Sequence, residues 1–368
     1  MYDFLIVGAG YSGSVLAERI ASTMNKKVLL VDRRSHIAGN AYDYYNEDGV
    51  LVHKYGPHWF HTNDKKVFEY LSKFTEWRLH EHLVRSYVDG KLLPFPINLN
   101  TLNELYGFNF TSSEQVQEFY DKVKSEIKNP RNAEEMVLSQ VGEDLYEKFF
   151  KGYTLKQWEI DPKDLAASVT ARIPTRTNTD DRYFTDTYQG VPKHGYTNMF
   201  NKMLSHPDIS ILLQTDYRNI INEIEYKILI YTGPIDSFFD YKLGKLPYRS
   251  LRFEHETFNQ EYYQSHQQIN YPNDNDYTRI VEWKHATGQK SDVTTITREY
   301  SMLAEDGMEK YYPIPREHNH VLYNKYKAEA DKLENVIFLG RLADYKYYNM
   351  DQVVARALMI FEKKILVN

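Results

Sequence analysis

Asp3-Phe4-Leu5-Ile6-Val7 is a short apolar run that ends on Gly8-Ala9-Gly10-Tyr11-Ser12-Gly13. A run of this length bounded by glycines predicts a buried strand and a tight turn. Ser14 to Met24 predicts a helix, and Lys27 to Val31 a second buried strand closing on Asp32. Strand, turn, helix and strand in this order form a βαβ unit. Tyr42 to Val52 predicts a loop and a short strand, and Asn63 is expected to cap a helix over Asp64 to Phe74. Val84 to Leu93 alternates around Asp89-Gly90, a hairpin signal, with Pro94 and Pro96 stopping the sheet.

From Asn100 to about Ile160 the pattern turns helical, with starts expected at Ser112-Ser113-Glu114 and Asn132-Ala133-Glu134-Glu135. The clearest helix is expected over Gly142 to Tyr153, where Tyr146, Phe149, Phe150 and Tyr153 share one face. Such a stripe is usually core, but Gly152, Lys156, Gln157 and Trp158 just beyond it favour a site. The polar stretch from Arg172 to Asp186 has no period, and a loop that long is usually functional or mobile. Ile209 to Leu213 and Lys227 to Tyr231 predict strands that return to the first sheet. Short strands predominate from Tyr248 to Tyr312 and suit an antiparallel sheet. Asn335 to Leu339, Gly340-Arg341 and Met350 to Lys364 close the chain as strand, turn and helix.

Composition narrows the function. With 42% hydrophobic residues and only 17 Gly and 13 Pro in 368 residues, the chain is a folded globular protein of two or three units. No apolar run reaches membrane-spanning length, and Met1 leads straight into a core strand, so neither a spanning helix nor a signal peptide is expected and the predicted location is cytoplasmic. The absence of cysteine excludes disulfides, thiolate metal sites, a cysteine nucleophile and a sulfur-tethered flavin. A net charge of −6 argues against general nucleic-acid binding, so an anionic substrate must be met by a few placed arginines. The 32 tyrosines and 18 phenylalanines offer flat faces for a base or a sugar.

The glycine turn carries the first chemistry. Gly8 permits the turn, Gly10 admits a pyrophosphate to the backbone, Gly13 lets helix and strand pack closely, and the helix N-terminus favours the phosphates. Asp32 stands where a carboxylate takes a ribose hydroxyl. Arg33-Arg34 and His36-Ile37-Ala38-Gly39-Asn40 continue it in a way that resembles flavoproteins of the amine-oxidase type and favours FAD, while an arginine beside the acid also suits an NADP phosphate. His53, His58 and His61 invite a metal reading, but Gly56-Pro57 breaks any helix and the spacing is no zinc pattern, so no metal is expected. His58 and His61 are expected either beside a cofactor or as satisfied polar groups. Gly340, Arg341 and the N-terminus of the last helix suit the far side of a flavin site.

Over almost its whole length the chain resembles the bacterial UDP-galactopyranose mutases. The resemblance rests on the Gly8 turn, His36 to Asn40, Tyr55-Gly-Pro-His-Trp-Phe-His-Thr62, Phe149-Phe-Lys-Gly-Tyr-Thr-Leu-Lys-Gln-Trp158, Arg172-Ile-Pro, Tyr183-Phe184, Tyr277-Thr-Arg279, Tyr311-Tyr-Pro313, and Gly340-Arg-Leu342 with Tyr347. It implies an α/β fold: a Rossmann-like FAD-binding domain (1–80, 190–245 and 318–368), an inserted helical substrate domain (100–170), and an antiparallel sheet domain with a mobile loop (81–99, 171–189 and 246–317). It also implies an isomerase that interconverts the pyranose and furanose rings of a UDP-galactose without net redox change. The resemblance further implies that N5 of the reduced flavin forms a covalent sugar adduct, that an external reductant keeps the flavin reduced, that the protein is a homodimer, and that the product serves cell-surface polysaccharide.

By the same resemblance Arg172, Arg279 and His61 are the catalytic candidates. Phe149, Phe150, Tyr153, Thr154, Trp158, Tyr183, Asn270, Tyr312, Tyr347, Asn349 and Trp59 are expected around the substrate. Gly8, Gly10, Ser12, Gly13, Asp32, Arg33, Gly39, Asn40, His58, Gly340, Arg341 and Met350 are expected around FAD. Asn349 stands where the family often has Asp. Trp59 falls at a variable position beside the sugar, so UDP-galactose and UDP-N-acetylgalactosamine both remain open as substrates. A flavin oxidase, a nicotinamide dehydrogenase and a non-catalytic nucleotide-sugar or flavin-binding protein are the competing functions.

Overall fold

A computed structural model describes residues 1–367. Its first layer is a five-stranded parallel sheet in the order Ile209–Leu212, Val28–Val31, Tyr2–Val7, Tyr226–Tyr231 and Val336–Phe338. Tyr11–Met24 and Met350–Ile360 pack together beside it in the largest apolar core. Parallel strands must be covered on both faces, and Leu5, Leu29, Val31 and Leu229 bury the other side with Tyr217 and Tyr231. The chain leaves this sheet after residue 31 and returns at 209.

A seven-stranded sheet forms the second layer, in the order Tyr312–Pro313, Tyr248–Phe258, Thr294–Leu303, Arg279–Glu282, Gln268–Asn270, Val84–Val88 and Lys91–Phe95. It is antiparallel except where Gln268–Asn270 runs parallel to Val84–Val88. Two of its strands are long, 11 and 10 residues, where short ones are expected to predominate. Polar positions such as Glu254, Glu256, Thr295 and Thr297 mask them in the sequence, yet these residues pair across the ladder. The hairpin forms as expected, with positive φ at both Asp89 and Gly90. The second strand continues through Pro94 to Phe95 at the sheet edge, where a missing N–H costs no ladder bond.

Helices Leu99–Tyr106, Ser113–Val123, Ala133–Tyr146 and Gly152–Trp158 lie between these strands in sequence. Side-chain caps at Ser112 and Asn132 start two of them as predicted, and helix residues Leu102, Val116, Tyr120, Val137 and Leu145 bury against Val84, Val88, Leu93 and Phe95. The expected helix from Gly142 to Tyr153 forms just past a kink at Gly142 and is interrupted by a π turn. Gly142 takes φ 80°, and only glycine fits, since a Cβ there would lie 2.2 Å from the Val123 carbonyl oxygen. A wide π turn over Glu147–Lys151 follows before α-helix resumes. The cap expected at Asn63 belongs to Asp64, whose carboxylate accepts from Lys66 and Val67 N–H, and the helix covers only Lys65–Leu71. Asn63 instead bonds Asp186 and Thr187. Among the described residues no helix is long and apolar enough to cross a membrane.

Candidate active site

Two cavities meet between the sheets. The first, about 340 Å³, opens at the end of the parallel strands and is lined by Gly8, Gly10, Ser12, Asp32, Arg33, Gly39, Asn40, His58, Gly340, Arg341 and Met350. Glycine backbone shapes its inner wall. Gly8 (φ +107°) leaves no room for a side chain, since a Cβ would stand 2.0 Å from Thr232 Oγ1. Gly39 presses its backbone on Gly10, where a Cβ would come within 2.8 Å of the Gly10 Cα. Gly13 does not line the cavity; a Cβ there would strike the Gly8 carbonyl at 1.9 Å, so its part is the close packing of helix on strand. Asp32 braces the turn, accepting from Ala9 N at 2.8 Å and Arg34 N at 2.9 Å. Tyr11 opens the helix at the cavity wall, while its ring turns into the core against Phe200 at 4.8 Å. A glycine cradle, a helix N-terminus and an acid at the end of the second strand fit a dinucleotide.

The loop from 305 to 310 covers the outer end of this cavity. Glu309 fastens it, with Oε2 accepting from Arg34 at 2.6 Å and from Arg33 at 3.0 Å. Arg34 also donates to Asn40 Oδ1 and lies 4.2 Å over the Tyr55 ring. Sequence reading missed Glu309 because the pairing spans more than 270 residues.

The second cavity, about 840 Å³, shares Asn40, His58, Tyr311, Arg341 and Met350 with the first. Its lining includes Arg172, Arg279, His61, Phe149, Phe150, Tyr153, Thr154, Trp158, Tyr183, Asn270, Tyr312, Tyr347, Asn349 and Trp59. Residues scattered over nearly 300 positions therefore converge. The broken helix accounts for the aromatic stripe: Tyr146 stays in the core, Phe149 and Phe150 are buried yet reach the cavity, and Tyr153 lines it from the resumed helix. Gly152 allows that helix to approach the chain at Pro272, whose carbonyl a Cβ would meet at 2.4 Å. Burial pushes the Tyr153 hydroxyl up to about 12. Trp158 is 5% exposed and packs on Ala133, Leu165 and Val169.

Three guanidinium groups give the cavity its charge. Arg279 is held at 2.7 Å by Glu299, a carboxylate 1% exposed that occupies the neighbouring strand. An acid between Arg298 and Tyr300 looks like any solvated strand residue, which is why the sequence did not reveal it. Arg172 lies 4.7 Å over the Tyr347 ring, and Arg341 5.4 Å over both Tyr347 and Tyr312. Tyr312 and Tyr347 stack with centroids 5.0 Å apart. Burial alone would push the Tyr347 phenol up, but Arg172 and Arg341 outweigh it and hold the phenol below its ordinary value. Arg176 is built differently. It donates to the carbonyls of Asp180, Arg182 and Tyr183 and so ties the loop that carries Tyr183.

The histidines separate by partner. His58 Nδ1 lies 2.8 Å from the Gly56 carbonyl, and burial pushes His53 and His58 down to about 3. His61 stacks on Phe184 at 3.5 Å and meets Asp186 Oδ2 at 2.9 Å through Nδ1. That contact favours the Nδ1–H tautomer and leaves Nε2 as the acceptor. Asn349 caps the last helix, its N–H donating to Gln352 Oε1 at 2.9 Å.

Comparison with known proteins agrees with this geometry. Residues 148–347 match the family described as UDP-galactopyranose mutase, and residues 6–74 match an NAD(P)-binding Rossmann-like domain. A Klebsiella pneumoniae protein named "Probable UDP-galactopyranose mutase" is 39% identical, covering 97% of this chain and 93% of its own. An Escherichia coli dTDP-fucopyranose mutase is 36% identical, covering 97% of each. The crystal structure of a reduced UDP-galactopyranose mutase superimposes with a TM-score of 0.79 over 100% of this chain and 95% of the other, at 16% identity. The chain therefore belongs to the UDP-galactopyranose mutase family, an FAD-dependent isomerase of nucleotide-sugar rings.

Proposed function

We propose that this protein interconverts UDP-galactopyranose and UDP-galactofuranose with its flavin in the reduced state. The observation that carries the reading is the junction of the two cavities: a site rich in aromatic rings and guanidinium groups opens directly onto the dinucleotide cradle. Gly8, Gly10, Ser12, Asp32, Arg33, Gly39, Asn40, His58, Gly340, Arg341 and Met350 would hold FAD. Bound there in its reduced form, FAD would supply a nucleophilic flavin nitrogen next to the sugar, and the residues of the second cavity would hold the sugar-nucleotide against it.

The protein's own part is binding, charge and exclusion of water. Tyr153 offers a face to the uracil, with Phe149, Phe150, Thr154 and Asn270 beside it. Arg172 and Arg279 take the diphosphate, and their fork geometry and permanent charge stabilise it as negative charge builds on departure. Glu299 keeps Arg279 from swinging away. Tyr183, Tyr312 and Tyr347 donate to phosphate oxygens, and Trp158 walls the pocket. His61, held by Asp186, and Trp59 stand at the sugar end. Asn349 leaves the diphosphate side one negative charge poorer than an aspartate would, which favours the departing anion.

The three-part domain division, a homodimer in the cytoplasm, an external reductant and a role in cell-surface polysaccharide complete the proposal. The relatives' names include both UDP-galactopyranose and dTDP-fucopyranose. The test is anaerobic reduction with dithionite, followed by addition of UDP-galactofuranose, its N-acetyl analogue or dTDP-fucopyranose, with chromatography of the products. Many turnovers per reduced flavin on UDP-galactofuranose, and none with oxidised flavin, are expected. Conversion of dTDP-fucopyranose alone would replace the substrate. Stoichiometric flavin reduction by substrate would point to an oxidase, and UDP binding without conversion to a binding protein.

A further inference from the structure

Along the sheet wall of the second cavity, buried polar atoms wait without a protein partner: Gln268 Oε1, Arg279 Nε and Glu299 Oε1. Such atoms are costly to bury unpaired, so they point to a group arriving from outside. Arg279 and Glu299 already answer to each other and to the diphosphate. Gln268 has no part in the reading so far, although it is 3% exposed and lines the cavity.

Its amide is oriented by the fold. Gln268 Nε2 donates to Asn270 Oδ1 at 2.9 Å, which leaves the carbonyl oxygen as the free end. The register locates it. Asn270 stands opposite Arg279, whereas Gln268 stands opposite Val281, which packs with Trp59 and Trp283. Trp59 follows His58, one of the residues common to both cavities. Moving from Asn270 to Gln268 thus leads from the diphosphate arginine towards the cofactor junction, the end where the hexose must lie for its anomeric carbon to meet FAD. A carbonyl oxygen accepts from a hydroxyl and repels a phosphate oxygen, which only accepts.

We propose that Gln268 is a specificity-determining residue that accepts a hydrogen bond from a hydroxyl of the substrate's hexose. The inference rests on the mutase reading of the cavity. By fixing Asn270 with its N–H end, the same amide links recognition of the hexose to the nucleotide-binding row of the strand.

The test compares UDP-galactopyranose with UDP, which lacks the hexose. Gln268→Met keeps the length of the side chain and removes the acceptor. The dissociation constant for UDP-galactopyranose is expected to rise about tenfold while that for UDP changes less than twofold and flavin content is unchanged. Equal weakening of both would place the contact on the nucleotide and overturn the proposal, as would no change in either. Should the variant lose its flavin, the wild-type holoenzyme is titrated with monodeoxy UDP-galactoses. A tenfold loss for one of them is expected, and losses below twofold for all would overturn the proposal. Wild-type protein that neither binds UDP nor forms furanose would instead sink the mutase reading, and the two failures are distinct.

Discussion

The two cavities share five residues and almost nothing else in their construction. The cofactor cradle has backbone at its inner wall: the glycine turns at 8–13, 39 and 340 shape it, a side chain at Gly8, Gly13 or Gly39 would collide there, and residues 215–218, 231–237 and 305–311 complete the enclosure. The substrate cavity is made of side chains carried by a broken helix, a loop and the strands of another sheet. A backbone cradle fails by steric intrusion, all at once. A side-chain site fails one interaction at a time, each with its own signature in binding or turnover.

The largest effect is expected at Arg172. Arg172→Ala should lower kcat by about 10²–10³, or roughly 3–4 kcal/mol, the scale of losing one preorganised charge stabiliser. Flavin content should stay whole. Arg176→Ala should cost about tenfold at most, since that guanidinium serves the carbonyls of Asp180, Arg182 and Tyr183. Equal kcat losses in the two variants would erase the difference between a charge that meets substrate and one that ties a loop.

Gly13→Ala probes the other cavity. The added methyl group would stand 1.9 Å from the Gly8 carbonyl, so the helix must move off the strand. A loss of about 1–3 kcal/mol in urea unfolding is expected, with flavin released. Full flavin absorbance and unchanged stability would break the argument that the cradle is set by backbone contact. Tyr153→Ala should do the reverse, weakening UDP binding by about 1–3 kcal/mol while flavin stays bound. A lower melting temperature with unchanged UDP affinity would make Tyr153 a core residue.

The same contrast explains what could be read from the sequence. The cradle's residues are contiguous, and the order of strand, glycine turn, helix, strand and acid carries its own geometry. Two neighbours of the site escaped for physical reasons. Glu299 and Gln268 acquire meaning only from strand register, which places them opposite Arg279 and Val281. Helical periodicity gathered Phe149, Phe150 and Tyr153, but it could not show that Gly142 breaks the helix against Val123 or that a π turn sends Tyr153 into the cavity. Arg172 and Arg176 looked alike until their acceptors were visible; only the resemblance to known mutases chose between them.

Two fully buried imidazoles, His53 and His82, should answer to acid together. His53 and His82 are each pushed down to about 3 by burial. The unfolded chain takes up a proton near pH 6.5 and the folded chain does not, so their contribution is complete above that pH and falls as pH drops towards 3. Each should remove about 1.4 kcal/mol of stability per pH unit in that window. Urea unfolding at pH 7 and 5.5 measures it, and His82→Asn should reduce the slope. An unchanged slope in that variant would show that His82 titrates normally in the folded protein.

The smallest effect separates holding the cofactor from using it. Glu309 closes the 305–310 loop on Arg33 and Arg34; Arg34's side chain is only 13% exposed, but Glu309's is 33% and Arg33's 64%, so water and salt reach the carboxylate and screen the clasp. Glu309→Gln should therefore weaken FAD by less than about 1 kcal/mol. Flavin should dissociate a few-fold faster on dilution, more so at low salt than at high salt, where the wild-type clasp is already screened. With FAD in excess, kcat and UDP affinity should match wild type, because neither Arg172 nor Arg279 touches this loop. A fall in kcat under saturating FAD would mean that the strap acts beyond the cradle, through Tyr311 and Tyr312 at its C-terminal end, and that the two cavities are mechanically one.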